Sequence, residues 1–411
     1  MQGKDTPKST FLQLFEPIFR NSESLKNMEA DKYLKKLNTL QFIQMMACSQ
    51  LEQHKSLREI SSKFNDERFS QAINVKSFSS SQVSRRLRSL PLEATQLLLK
   101  NLIRETGKKI GFSKISSKLG RIHLIDSTTI SLCISQYAWA EFRKTKAGVK
   151  LHVRLKFEKD DAIPDKAIIT PAKPADKTQM DNLVVEEKGA LNVFDRGYLD
   201  YEKFDDYCEN GIEFVTRLKK NAIVKVIKEL PLDQEGVIQK HQLIYLGTST
   251  KKMKHPLRLI ETEDTQGRKI VIVSNNFEFT PEELGDIYRY RWQIELFFKW
   301  IKQHMHVKKF YGLSDQAVEN QLLIALMTYC LLMLLKQEAR FNDSLLEIQR
   351  LLKACLYEPF SSFCRKLFRK TRFSKGRRKL DHELVYKITV RQVIAGEADH
   401  LDDLTYDPLF D

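Results

Sequence analysis

The sequence predicts an α/β protein: a strand-rich middle, interrupted by a β insertion, set between a helical N-terminal region and a helical C-terminal one. Three observations carry this. Apolar residues recur at helical spacing through residues 1–115, hydrophobic runs of strand length begin near residue 120, and an amphipathic helix carrying an acid starts at Thr280. With 411 residues and 42% hydrophobic content, the chain can bury a sizeable core in roughly two to four domains. The expected divisions are 1–115, 116–338 with the insertion at 224–280, and 339–411.

In the first region, periodic apolar positions run through Tyr33, Leu34, Leu37, Leu40, Ile43 and Met46, and again through Leu97–Leu99, Leu102 and Ile103. Between them lie SLREISSKF (56–64) and SSSQVSRRLRSL (79–90), the second closed by Pro91, with Ser80 or Ser81 as its expected N-cap. Val83 and Leu87 would face inward and leave Gln82, Arg85, Arg86 and Arg88 for a DNA groove, as in a helix-turn-helix with a long connection. The same residues also read as a bundle helix with a solvated basic face.

The strands come next. RIHLID (121–126) ends in an aspartate, a turn is expected at Ser127–Thr129, and ISLCIS (130–135) follows. Residues 148–157 alternate, with Val149, Leu151, Val153, Leu155 and Phe157 on one face and Lys150, His152, Arg154 and Lys156 on the other. ALNVFD (190–195) is a second apolar strand ending in an aspartate, and EFVTRL (213–218) follows a short helix. Thr280, Pro281 and Glu283 then form a capping box with proline in the first turn, which starts a helix through Lys302. On it Ile287, Ile294, Phe298 and Ile301 make an apolar stripe, and Tyr288, Arg291, Glu295 and Lys302 a neighbouring one. Strands, strand–helix–strand, then a helix bearing an acid is the order of a ribonuclease-H-like core. There Asp126 and Asp195 would lie side by side beyond the carboxyl ends of adjacent strands.

A formal charge of +15 and a pI near 9.3 point to a polyanionic partner, most simply nucleic acid, although a merely basic protein has the same balance. The six cysteines are scattered without zinc spacing and are expected to be buried free thiols in a reducing cytoplasm. The N-terminus lacks the apolar core of a signal peptide, and Leu322–Leu335 is too short to span a bilayer, so it is expected to be a buried helix. The stretch 365–379 is basic and the last fifteen residues are acidic, so the tail could fold over the basic stretch or stay solvated.

The spacing Tyr288, Arg291, Glu295, Lys302 resembles the Y-R-E-K signature of the insertion-sequence-four family of bacterial DDE transposases. DST at 126–128 and DRGY at 195–198 are similar to that family's blocks around its first two catalytic aspartates, and the likeness runs from about Ile122 to Leu335. The resemblance implies a triad of Asp126, Asp195 and Glu295 acting as catalytic and metal-binding residues. It implies two Mg²⁺ ions, with Mn²⁺ able to substitute, and a homodimer that brings two element ends together. The implied partners are double-stranded DNA at the terminal inverted repeats and the target DNA, in the bacterial cytoplasm at the nucleoid and with no membrane. Phosphodiester cleavage and strand transfer need an in-line nucleophile and relief of charge at phosphorus, which paired ions held by convergent carboxylates supply. Arg291 and Lys302 would grip phosphates beside the scissile bond, and Tyr288 would position DNA at the element end.

One departure concerns a hairpin step, for which relatives use a stacking tryptophan in the insertion. Here Trp139, Trp292 and Trp300 all lie outside 224–280, leaving Tyr245, Phe277, His241 or His255. His304 and His306 read as solvated ends or phosphate contacts rather than metal ligands. Two other functions compete with transposition: a ribonuclease-H-like nuclease without strand transfer, and a transposase-derived DNA-binding repressor.

Overall fold

The computed structural model describes residues 8–110, 121–158, 161–232, 238–248, 252–263, 269–305, 307, 309–369, 387–389 and 391. The basic run from 370 to 379, the acidic tail and His306 lie outside the described residues. The chain forms two compact units. One is drawn from Met1–Phe112, Ile130–Val149 and Trp300–Lys375, the other from Ser113–Thr129, Lys150–Lys299 and Gly376–Asp411.

The chain opens with helices α1 (Thr10–Arg20), α2 (Thr39–Glu52), α3 (Leu57–Phe64), α4 (Glu67–Ile73), α5 (Ser80–Ser89) and α6 (Leu92–Ile110). Ser9, Asn38, Ser56, Asp66 and Ser79 start the first five by accepting a backbone N–H from the first turn. The periodic run from Tyr33 is not one helix. Tyr33 and Leu37 hold positive φ angles of 64° and 57°, and α2 begins only where Asn38 and Gln41 close a capping box. The cap of α5 is Ser79 rather than Ser80 or Ser81.

Among the described residues ten strands follow, with two short α-helices between them: β1 (Arg121–Leu132), β2 (Glu141–Arg143), β3 (Lys146–Glu158), β4 (Asp161–Pro171), α7 (Met180–Leu183), β5 (Ala190–Phe194), α8 (Tyr201–Glu209), β6 (Glu213–Arg217), β7 (Val224–Glu229), β8 (Ile238–Leu246), β9 (Leu257–Glu263) and β10 (Lys269–Ser274). Their order in the sheet is β2-β3-β1-β5-β6-β10-β9-β8-β7, with β4 on β3. No turn interrupts β1 at Ser127–Thr129. Consecutive threonines favour extended backbone, and the strand continues past its last pair with β5. β1 pairs parallel with β5, and β5 parallel with β6. The strands of 224–280 continue this sheet, because β10 pairs antiparallel with β6. On one side Phe194, Phe204 and Phe214 pack with Tyr198, Met180 and Leu183, the Phe204 and Phe214 rings stacked at 4.5 Å. That buried cluster holds the carboxyl end of β5 in place.

The expected single helix from Thr280 to Lys302 is two: α9 (Pro281–Tyr290) and α10 (Trp292–His304), parted at Arg291. The Thr280–Glu283 capping box forms as the residue pattern requires. Helices α11 (Asp315–Glu338), α12 (Leu345–Cys355) and α13 (Phe360–Leu367) follow.

Helix α11 is long and apolar enough to cross a membrane, yet it is a core helix of its unit, packed on α6 and α2. Its polar residues are satisfied internally: Asn320 donates to Leu90 O at 2.9 Å and accepts from Thr95 Oγ1 at 2.7 Å, and Gln321 donates to Lys309 O at 3.0 Å. The cysteines are all free, but Cys133 is exposed rather than buried, and Cys208 and Cys364 are only partly covered.

Two glycines test this packing. A Cβ at Gly312 would lie 2.5 Å from that of Ala317 and 3.1 Å from Leu87 Cδ2, whereas one at Gly107 within α6 would meet nothing within 4 Å. Gly312→Ala is therefore expected to lower stability by about 1–3 kcal/mol. Gly107→Ala should raise it by up to about 1 kcal/mol. Urea unfolding of the full chain checks both, and equal effects would contradict the packing described for the α5–α11 region.

Candidate active site

The parallel register of β1 and β5 ends at the pair Ile125–Phe194, so the next residues on the two strands are Asp126 and Asp195. Each aspartate is held by the backbone that follows it. Ser127 N–H donates to Asp126 Oδ1 at 2.7 Å. Gly197 N–H donates to Asp195 Oδ1 at 2.7 Å, which caps the short turn 196–198. A Cβ at residue 197 would stand 2.9 Å from that same oxygen, so the glycine of the DRGY block is needed for the carboxylate to sit this close.

The third acid comes from α10. Arg291, at the break between α9 and α10, donates through Nη2 to Glu295 Oε1 at 2.6 Å and through Nη1 to Asp126 Oδ2 at 3.2 Å. One guanidinium thus joins the strand acid to the helix acid. Tyr288, 8% exposed, has its ring centre 5.8 Å from the Arg291 guanidinium carbon.

The electrostatics follow from burial. Removal from water pushes Asp126 up to about 7; Arg291 opposes this, while Asp195 and Glu295 add to it. Glu295 is also raised by burial, with Arg291 working against the rise and Asp195 with it. Burial alone would weaken the charge of Arg291, but Tyr288, Glu295, Asp126 and Asp195 outweigh it and hold the guanidinium protonated. Buried acids that raise one another's proton affinity need a cation among them. Arg291 supplies part of that charge.

The donor chemistry, carboxylate oxygens alone, suits a hard divalent ion. Among the described residues, no three His, Cys, Asp or Glu side chains stand grouped closely enough to enclose one. The residues fit by kind, with Arg291 lying between two of them.

Lys302 lies further along α10, in the part that belongs to the other unit. On α5, Arg85 and Arg88 are exposed, while Gln82 spends its amide oxygen on the capping box with Ser79. Arg86 is not available to a groove: 5% exposed, it donates to Asp31 Oδ1 and Thr39 Oγ1. Of the aromatic candidates in the strands of 224–280, Tyr245 carries Lys252 Nζ over its ring at 3.7 Å, and Phe277 is 56% exposed. His241 is tied to Pro231 O and Arg258, and His255 to Asp205.

Sequence reasoning missed Asp176, which accepts from the Ser127 hydroxyl at 2.7 Å, and the buried Tyr198. Asp176 sits in no motif and meets Ser127 only through the fold. Tyr198 stood within DRGY and could have been marked there.

The transposase DDE domain model matches residues 117–331, and a domain of unknown function, DUF4372, matches residues 6–71. A transposase of insertion sequence element IS5377 from Geobacillus stearothermophilus is 30% identical over 62% of this chain and 67% of its own length. Transposase y4zB of Sinorhizobium fredii is 32% identical over 58% of this chain and 67% of its own. A solved synaptic complex of piggyBac transposase with hairpin DNA aligns over 94% of this chain and 84% of that one, at 13% identity and a TM-score of 0.42.

The raised proton affinity of Asp126 has a consequence for metal-free protein. Folded chain holds this proton more tightly than unfolded chain, so between pH 4 and 7 this carboxyl's contribution to stability falls as pH rises, by at most about 1.4 kcal/mol per pH unit. In chelator, Asp126→Asn should flatten that slope. Thermal melts across the range check it, and parallel curves for the two proteins would contradict the burial assigned to this carboxyl.

Proposed function

The chain belongs to the DDE transposase family, and we propose that it acts for a bacterial insertion element, cutting DNA at the terminal inverted repeats and joining the freed 3′-hydroxyls to target DNA. The observation that carries this is that two paired parallel strands and one helix bring Asp126 and Glu295 onto a single arginine, whose charge Asp195 also reaches. The parallel β1–β5–β6 arrangement with acids beyond its carboxyl edge accords with a ribonuclease-H-like core.

On this reading Asp126, Asp195 and Glu295 hold the Mg²⁺ ions, for which Mn²⁺ can substitute. When bound, such ions activate the attacking oxygen and steady the leaving one. The chain's own residues do the rest. Arg291 would release one of its two carboxylates and turn to a phosphate oxygen beside the scissile bond, where its fork can grip bidentately. Tyr288, packed against Arg291, would limit the paths open to that guanidinium. Lys302, which belongs to the other unit, is proposed as a DNA contact of that unit. The packed cluster of Phe194, Phe204 and Phe214 keeps Asp195 rigid while the strand is handled.

DNA recognition is assigned to the N-terminal helices, with the exposed Arg85 and Arg88 as the cations that meet the duplex and Gln82 as a weaker contact. Two copies would synapse two element ends, in the cytoplasm on nucleoid DNA. The division into an N-terminal DNA-binding region, a catalytic region and a C-terminal helical region belongs to the same proposal.

Asp126→Ala, Asp195→Ala and Glu295→Ala are each expected to lower cleavage of an element end by at least about a thousandfold, as removal of one member of a catalytic unit does. Their binding to the end should stay within a few-fold of wild type. Cleavage at the wild-type rate in any one would remove that residue from the site. Arg85→Ala with Arg88→Ala should weaken end binding and lower the slope of log affinity against log salt by about two. An unchanged slope would return α5 to a purely structural role.

A further inference from the structure

Behind Asp126 runs a chain of polar contacts that no part of the reaction described above uses. Ser127 serves Asp126 with its N–H and, with its hydroxyl, donates to Asp176 Oδ1 at 2.7 Å. The same Asp176 oxygen is paired with Lys150 Nζ at 3.0 Å, and Lys150 also donates to Pro174 O at 2.9 Å. Lys150 therefore ties down both Asp176 and the backbone two residues before it. His152, two residues along β3, is 1% exposed and bonded through Nε2 to Thr170 Oγ1 at 2.9 Å, which places its Nδ1 3.9 Å from the same Asp176 oxygen. The Tyr198 hydroxyl is buried where the charges of Asp126, Asp176 and Asp195 all reach it.

This arrangement is directional. The Asp126 carboxylate has one oxygen on the Ser127 N–H and the other toward Arg291. Whatever fixes Ser127 fixes the backbone from which Asp126 projects. A serine hydroxyl alone can turn freely; one held at 2.7 Å by a carboxylate that a lysine also holds cannot. Groups one layer behind metal ligands commonly orient them in this way.

We propose that Asp176 and Lys150 are positioning residues for the site: through the Ser127 hydroxyl they set the direction of the Asp126 carboxylate toward a divalent ion. This rests on the reading of Asp126 as a metal-binding acid.

The test uses full-length protein, with Mn²⁺ alone as the probe, its binding read from the free-ion signal in electron paramagnetic resonance, and cleavage of an element end read alongside. Ser127→Ala and Asp176→Ala are each expected to weaken Mn²⁺ binding by about 10-fold or more. Ser127→Thr keeps the hydroxyl and should recover most of the loss, whereas Asp176→Asn keeps an acceptor but not the Lys150 ion pair and should recover only part of it. Because the two residues act through one bond, the double alanine variant should be no worse than the poorer single one. Losses that multiply, or Asn at 176 as damaging as Ala, would overturn the proposal. So would unchanged Mn²⁺ binding in Ser127→Ala. Should Asp176→Ala fail to fold, the Ala and Thr variants of Ser127 give the same comparison. Asp126→Asn separates the two claims: Mn²⁺ binding at wild-type strength there would sink the metal reading itself, whereas its loss alongside an unaffected Ser127→Ala would sink only the positioning role.

Discussion

The structure around the candidate site depends on one electrostatic constraint: carboxylates taken out of water near one another must share a cation. Asp126, Asp195 and Glu295 repel each other, and burial raises the proton affinity of Asp126 and Glu295. Arg291 meets that constraint by bonding to Asp126 and Glu295 at once. A buried charge without a partner is strongly destabilising, so the arginine and the acids are conditions for one another.

The fold supplies the acids from elements that cannot drift independently. β1 and β5 are joined by a parallel ladder whose last pair immediately precedes both aspartates, so a slip of one strand would separate them and turn one to the opposite face. Aromatic packing beneath Phe194 resists such a slip. The helix side is anchored differently: Leu284, Ile287 and Ile294 are fully buried, and the chain tightens at Arg291, where its N–H reaches Tyr288 O at 3.1 Å and its carbonyl accepts from Ile294 at 3.1 Å. That tightening lets the same arginine end one helix and reach both acids.

In the chain the strands from β7 to β10 lie between the core strand β6 and helices α9 and α10, and they extend the sheet through β10. Arg258, on β9, donates to Asn276 O and Phe279 O and so secures the loop that leads into α9. Asp205 accepts from the N–H groups of Lys254 and His255, which fastens the start of β9 to α8. The added strands thus brace the segment from which α9 starts.

Much of this was legible in the sequence because it is local. The capping box at Thr280, the i,i+4 pair of Arg291 and Glu295 and the apolar runs that lead up to residues 126 and 195 depend on residues near in the chain. What the sequence misled on depended on partners far away. Ser127 to Thr129 read as a turn by residue type, but they continue β1 as extended strand. Arg86 read as a solvated cation, but Asp31 and Thr39 draw it inward. Only the tertiary structure could set Asp176 against Ser127, because a contact across 49 positions leaves no periodicity to read. Sequence alone determined which residues carry charge and which segments can be strand or helix; the fold decided which charges meet, since the cost of burying a charge depends on partners that only long-range packing supplies.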